Sequence, residues 1–285
     1  MIRRALVLGA GGPAASSWET GVIAGLADEG IDVRNAALFV GTSAGSRVAA
    51  QITSGHGLEE LFDRQIHPQP AGEVAAKVDF KKLKADYVCA REGDGGDIGF
   101  LTRMGSLAVN ASTASEADTL KEVAAQLLVD TWPMQKVIAV AVDTESGERR
   151  AFDRSSGVPL RDAVAASGAA PGMSPAITIE GRRYMDGGVY STDNADLATG
   201  FERVLILTLK AGKPSTCILT LDAAVELLER SGSQVVAVRP DDATEAAFAA
   251  VGGNILDPKV REGAARAGRE QGRRIAASSI AALWN

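Results

Sequence analysis

The chain reads as an α/β protein organised on a parallel sheet, and three observations carry that reading. The apolar run Ala5-Leu6-Val7-Leu8 ends abruptly in Gly9-Ala10-Gly11-Gly12, the pattern of a buried strand feeding a glycine loop. From Ser16 or Ser17 to Glu29, Trp18, Val22, Ile23 and Leu26 recur at helical spacing, and Gly30 closes the helix. Then Leu38-Phe39-Val40 runs into Gly41-Thr42-Ser43-Ala44-Gly45, a second buried strand turning sharply into a helix. Strand, glycine loop, helix, strand, turn and helix in this order open a parallel α/β sheet.

The elements follow in order. The segment from about residue 55 to about residue 118 has the least regular pattern. It contains the turn or linker His67-Pro68-Gln69-Pro70, a charged glycine-rich loop from Arg91 to Asp97 and a polar stretch from Asn110 to Ser115. Weakly amphipathic helices are expected over Leu58–Ile66, Phe80–Tyr87 and Thr119–Leu128. Loop-rich composition beside a reactive turn suggests a mobile cap over residues 55–118. Lys136 to Val142 is a β-branched strand, and Arg149 to Asp153 its return. Leu160 to Ser167 is a short helix, and Ile177 to Tyr184 has the alternation and central glycine of a hairpin that delivers Met185-Asp186-Gly187-Gly188. Val204–Leu209 and Val235–Val238 are the remaining strands. The clustered charges of Arg261, Glu262, Arg266, Arg269, Glu270, Arg273 and Arg274 predict a solvated helical face within residues 257–284.

Composition limits the function. At 285 residues, 46% hydrophobic, the chain can bury a substantial core, here expected as a single domain over 1–285. A net charge of −6 argues against a general nucleic-acid binder. Cys89 and Cys217 are too few for a disulfide framework, and no Cys/His cluster has zinc-ligand spacing. Arg3-Arg4 precede an apolar run too short for an export signal, and no window approaches the roughly 18 apolar residues of a membrane span. A cytoplasmic protein with at most transient membrane contact is expected; its oligomeric state is not encoded in these patterns.

Ser43, at the apex of Gly41-x-Ser43-x-Gly45, is the candidate nucleophile. Glycines on either side leave room where strand and helix pass closest, and the helix N-terminus behind the serine favours a developing oxyanion. An ordinary glycine-rich turn would carry the same five residues. The first glycine loop is open to two functional readings besides a tight turn. Gly9-x-Gly11-x-x-Ala14 fits a relaxed dinucleotide fingerprint, but the acidic residue required after the next strand is missing, since Asp32 precedes that strand. Alternatively, the Gly11 and Gly12 amides are oxyanion donors facing Ser43.

A serine nucleophile needs a base, usually histidine. Only His56 and His67 exist. A helix leading away from Ser43 would carry His56 ~20 Å off, and His67 sits in a Pro-flanked loop, so both read as surface residues. Asp186, after a strand and before two glycines, is the substitute: a carboxylate accepting the serine proton directly, its basicity tuned by burial. A plain Asp-Gly turn is the alternative reading.

Taken together, the glycine loop, Gly-x-Ser-x-Gly and Asp186-Gly187-Gly188 resemble the patatin-like phospholipase family. Trp18-Glu19-Thr20-Gly21-Val22 sits where that family has its first helix. Ala166-Ser167 with Pro171-Gly172 resembles the segment ahead of its acid, and Val140 to Phe152 its Asp-x-x-Thr/Ser-Gly-Glu hairpin. The resemblance covers about residues 5–55 and 136–200. It implies a three-layer α/β/α fold with a mostly parallel central sheet, a Ser43–Asp186 dyad, oxyanion donors at Gly11, Gly12 and the Ala44 amide, and cleavage of acyl esters or phospholipids without metal or organic cofactor. The chain departs from the family twice. Pro13-Ala14-Ala15 stands where Lys or Arg and then Gly are usual, which implies weaker charge stabilisation of the oxyanion. Val189 to Asp196 replaces a run containing Asn-Pro, which implies a different anchor for the acid loop. A non-catalytic acyl- or lipid-binding relative is the alternative expectation.

Overall fold

A computed structural model describes residues 2–67, 80–209 and 216–284. The chain runs β1 (Arg4–Leu8), α1 (Gly12–Asp28), β2 (Leu38–Thr42), α2 (Ala44–Ile52), α3 (Leu58–Ile66), α4 (Phe80–Glu92), α5 (Gly96–Asn110), α6 (Glu116–Leu127) and β3 (Lys136–Asp143). It continues through β4 (Arg149–Phe152), α7 (Leu160–Ser167), β5 (Ile177–Ile179), β6 (Arg182–Asp186), β7 (Arg203–Leu207), α8 (Leu221–Arg230), β8 (Gln234–Val238), α9 (Asp242–Ala250), α10 (Arg261–Ile275) and α11 (Ala281–Trp284).

The strands form one sheet in the order β5-β6-β3-β2-β1-β7-β8, with β4 also paired to β3. The β3-β2-β1-β7-β8 stretch is parallel, whereas β4 and β6 pair β3 antiparallel and β5–β6 is a hairpin. Alternation along the parallel strands separates two cores. Leu6, Leu8, Phe39, Leu205 and Leu207 pack against α1, α2 and the C-terminal helices. Ala5, Val7, Leu38, Val40, Val204 and Ile206 face α8 and the turn at Ala195–Ala198. The result is the expected three-layer α/β/α arrangement.

Register around β3 fixes the geometry of the molecule's centre. β4 covers one edge of β3, pairing Ala139 to Val142. The opposite edge is shared: β2 runs along it until Thr42 faces Val140, and β6 occupies it from Ala141, which faces Asp186. A parallel and an antiparallel strand therefore meet head to head on adjacent residues of β3, and their tips carry Ser43 and Asp186.

Several boundaries differ from the sequence expectation. α1 begins at Gly12, several residues earlier than expected, because Pro13 occupies its first turn, where a missing N–H costs nothing. The glycine-rich loop expected at Arg91–Asp97 is mostly helical, since α4 runs to Glu92 and α5 starts at Gly96. α5 itself buries Phe100, Leu101, Met104 and Ala108 against Val142 and Met185, so this half of the expected cap has a packed interior. Of the expected turn at His67-Pro68-Gln69-Pro70, the last three residues lie outside the described residues.

The charged face of α10 also differs from expectation. Arg269 is largely buried and pairs with Asp28 of α1 at 2.8 Å and with Glu59 of α3, and its guanidinium lies 4.6 Å from the Phe62 ring centroid. This close approach is permitted by small residues. A Cβ on Gly21, Gly25, Gly268 or Gly272 would fall within 2.0–2.5 Å of the facing backbone, so α1 and α10 touch main chain to main chain.

Candidate active site

Ser43 sits between β2 and α2 with φ 55° and ψ −118°, a region that a non-glycine residue enters only when its surroundings hold it there. The restraints are identifiable. A Cβ on Gly45 would lie 2.1 Å from the Leu8 carbonyl oxygen, and the Gly45 N–H donates to Gly9 O at 3.1 Å, so α2 starts pressed against the end of β1. The Ser43 N–H donates to the buried Ser167 Oγ at the end of α7, at 2.9 Å. The turn thus presents the Ser43 side chain while its backbone is held on both sides.

Asp186 closes β6 and is 6% exposed. Its Oδ1 accepts the Gly188 N–H at 2.7 Å, and the Ser43 hydroxyl lies close enough to favour its ionised form. Burial dominates these contacts and pushes the carboxyl from an ordinary 3.8 up to about 6. Above that value Asp186 is an anion beside a serine hydroxyl, with an affinity for protons unusual for a carboxylate.

Both groups open into a cavity of about 520 Å³, which also receives Gly11, Gly12 and Ala44. α1 and α2 begin at this cavity, and neither has a side-chain cap. Among the described residues, no acceptor takes the Gly11, Gly12 or Ala44 amide. Uncapped N–H groups at two helix starts supply positive potential where a negatively charged oxygen could sit. Apolar walls come from Pro171, Met173, Val189, Ile255 and Leu256.

The structure therefore brings Ser43, Asp186, Gly11, Gly12 and Ala44 to one cavity. His56 and His67 stay apart from it: His56 pairs with Glu60 at 3.0 Å, and the exposed His67 bonds Asp63 O. Asp32 caps the turn before β2 and pairs with Arg34, at the end of the strand opposite the glycine loop, so it does not serve a nucleotide ribose there.

Four supporting residues were not singled out as functional by sequence reasoning. Ser167 is described above. Glu19 is fully buried in α1 and accepts the Gly9 N–H at 2.8 Å, supporting the glycine loop, and burial pushes its carboxyl well up. Tyr87 of α4 lines the cavity, and its phenol is pushed up by burial and by the charge of Asp186. Asn194 bridges the two strand tips. Only Glu19 and Ser167 lie within motifs the sequence displays; Tyr87 and Asn194 have no local signature. Among the described residues, no group of three or more His, Cys, Asp or Glu side chains is arranged to hold a metal, and no helix is long and apolar enough to cross a membrane.

Fold and site define a three-layer α/β/α protein with a serine at a strained strand-to-helix turn, facing an aspartate on the neighbouring strand tip. The chain belongs to the patatin-like phospholipase family, whose model matches residues 6–199. None of the curated proteins matches it. Among solved structures it is similar to VipD from Legionella pneumophila, at 11% identity and a TM-score of 0.47, covering 96% of this chain and 66% of that one. It is also similar to the type III effector protein ExoU, at 10% identity and a TM-score of 0.40, covering 96% of this chain and 53% of that one. The chain thus spans less than two thirds of the length of either.

Proposed function

We propose that the chain is a lipid acyl hydrolase using Ser43 and Asp186 as a catalytic dyad. Asp186 takes the hydroxyl proton as Ser43 Oγ attacks the ester carbonyl carbon. The carbonyl oxygen becomes an oxyanion held by the Gly11, Gly12 and Ala44 amides. Collapse of this intermediate breaks the ester C–O bond, and the proton on Asp186 passes to the departing alkoxide. Water then attacks the acyl-serine, giving its proton to Asp186, and the acyl–Oγ bond breaks as that proton passes to Ser43 Oγ, releasing the fatty acid and restoring Ser43 and Asp186. The apolar walls suit an acyl chain, and the volume lies within the ~300–1,000 Å³ of ordinary ligand sites.

The observation that carries this reading is that Ser43 and a buried carboxyl raised to about 6 open into one cavity, with the Ser43 hydroxyl close enough to favour the ionised carboxyl. A base with that proton affinity is half-ionised at about pH 6, mostly ionised at neutral pH, and better matched to serine than an ordinary aspartate. The test is reaction with a fluorophosphonate probe, read by intact mass and tryptic mapping. One adduct on Ser43, absent in Ser43→Ala and suppressed in Asp186→Asn, is expected. Labelling elsewhere, or undiminished esterase activity in either variant, refutes the dyad.

One observation favours a second reading. Ala14 and Ala15 are fully buried, so the glycine loop carries no cation where relatives usually have one. A non-catalytic acyl-binding protein would bind fatty acid stoichiometrically and leave esters and the fluorophosphonate untouched.

A further inference from the structure

β2 and β6 meet head to head on β3 but are not paired with each other, so the ladder alone does not fix the gap between their tips. Ser43 and Asp186 both lie at that gap. One side chain spans it. The two N–H groups of Asn194 Nδ2 serve three acceptors, Thr42 Oγ1 at 3.0 Å, Ser191 O at 2.8 Å and, by a shared bond, Gly187 O at 3.3 Å. Thr42 immediately precedes Ser43, and Gly187 immediately follows Asp186. We propose that Asn194 is the positioning residue that sets the contact between Ser43 and Asp186, an inference that rests on the catalytic reading above.

Three features make this amide a clamp. It is fully buried, so no water competes for its partners. Its orientation is fixed by charge: Arg149 Nη1, which can only donate, lies 3.1 Å from Oδ1, so Nδ2 must face the three oxygens. Arg149 is itself held by Asp196 at 2.6 and 2.7 Å, and its guanidinium lies 4.4 Å from the Tyr190 ring centroid. Finally, Asn194 has φ 51° and ψ 37°, a left-handed conformation that asparagine tolerates better than other residues with a side chain. The same loop also reaches the third part of the site, because Thr192 O accepts the Ala10 N–H at 2.7 Å. A run of four residues, 191–194, therefore touches the glycine loop, the strand before the nucleophile and the turn after the acid. It occupies the stretch in which the family's usual Asn-Pro run is missing.

The decisive variant is Asn194→Gly, which keeps the left-handed backbone accessible and deletes the clamp together with the bond it accepts from Arg149. Thr42→Val removes one acceptor from the other end without changing shape, and decides the matter should Asn194→Gly not fold. Each is compared with wild type for the second-order rate of fluorophosphonate labelling against pH, for kcat and KM on a short-chain p-nitrophenyl ester, and for melting temperature. Loss of the clamp is expected to lower labelling and kcat by about 10–100-fold with KM nearly unchanged, the size of effect expected for a misplacement of about 1 Å. It also moves the pH midpoint upward, since the nearby Ser43 hydroxyl is one of the groups holding the Asp186 carboxyl down. Tyr87, Arg47 and Glu122, the other titratable or charged side chains lining the cavity, are untouched by either variant, and Asp193, raised to about 6 beside Asn194, is left in its own loop unchanged by Thr42→Val. A merely structural role would lower melting temperature and leave the midpoint in place. Thr42→Val should show the same direction with a smaller loss, and the double variant should be no worse than Asn194→Gly alone. Variants that label at the wild-type rate and midpoint overturn the clamp while leaving the dyad standing. An unreactive wild-type protein overturns the dyad, and the clamp with it.

Discussion

If burial raises Asp186, replacing it should stabilise the protein while abolishing its chemistry. The carboxyl rises from 3.8 to about 6 on folding. Each tenfold change in an ionisation constant is worth about 1.4 kcal/mol, so keeping this group charged in the native state costs about 3 kcal/mol. The sign follows from proton counts. Between about 3.8 and about 6 the native state holds a proton that the unfolded state has released, so wild-type stability falls as pH rises through that window. Asp186→Asn removes the charge at little geometric cost: its Oδ1 can still accept the Gly188 N–H, and its amide can donate to the Ser43 oxygen. The variant should therefore be more stable by up to about 3 kcal/mol near pH 8, roughly 5–10 °C for a chain of this size, with the difference fading toward pH 4. Asp193, also buried and raised to about 6, is present in both proteins and cancels in the comparison. Urea melts of both proteins across this range measure the effect. A variant less stable than wild type near pH 8, or a difference independent of pH, would refute the assignment of Asp186 as a buried charge and remove the basis for its role as a base.

Three further outcomes are expected. Labelling of wild type by fluorophosphonate should fall about tenfold for each pH unit below about 6 and level off above it, because only ionised Asp186 accepts the Ser43 proton; a flat profile would exclude it as the base. Ser167→Ala should cost about 1–3 kcal/mol in urea melts and slow labelling, since the strained Ser43 backbone loses the acceptor of its N–H. Arg269→Met should cost about 1–2 kcal/mol at low salt and less at high salt, because its partners Asp28 and Glu59 keep part of their surface in water.

The legible parts of this chain are those where chemistry dictates sequence locally. Gly41 and Gly45 stand out because a Cβ on Gly41 would meet the first turn of α2 and one on Gly45 the end of β1, and the apolar runs of β1, β2, β3 and β7 are bounded as buried parallel strands should be. Asp186 was legible as an acid beside two glycines and, through the family resemblance, as the partner of Ser43. Its meeting with Ser43 depends on two strands sharing one edge of β3, a relation between residues far apart in sequence. Asn194 was hidden for the same reason, since its amide reaches 152 positions back to Thr42. α5 was obscured by its glycine-rich start, although Phe100, Leu101, Met104 and Ala108 lie on one helical face. The charges of α10 suggested solvent, but they could not reveal the glycines of α1 that draw Arg269 under the surface.

The unusual glycine loop is better understood as a rebuilt wall than as a pocket that has lost a cation. Ala14 and Ala15 pack in the main core with Trp18 and Leu8, so there is no room there for a long basic side chain reaching the cavity. The segment after α9 closes over the loop: Ile255 O accepts the Ala14 N–H at 3.1 Å, and a Cβ on Gly12 would lie 2.6 Å from Leu256 Cδ2. In the proposed mechanism, negative charge at Ser43 would be met by main-chain amides and the starts of α1 and α2, inside an apolar wall that strengthens them by excluding water. Ala14→Arg should consequently fail as a restoration. It would bury a charge or displace residues 254–258, costing several kcal/mol in urea melts and lowering the labelling rate. A folded Ala14→Arg protein that labels faster than wild type would show that the cation is missing from a site still shaped to receive it.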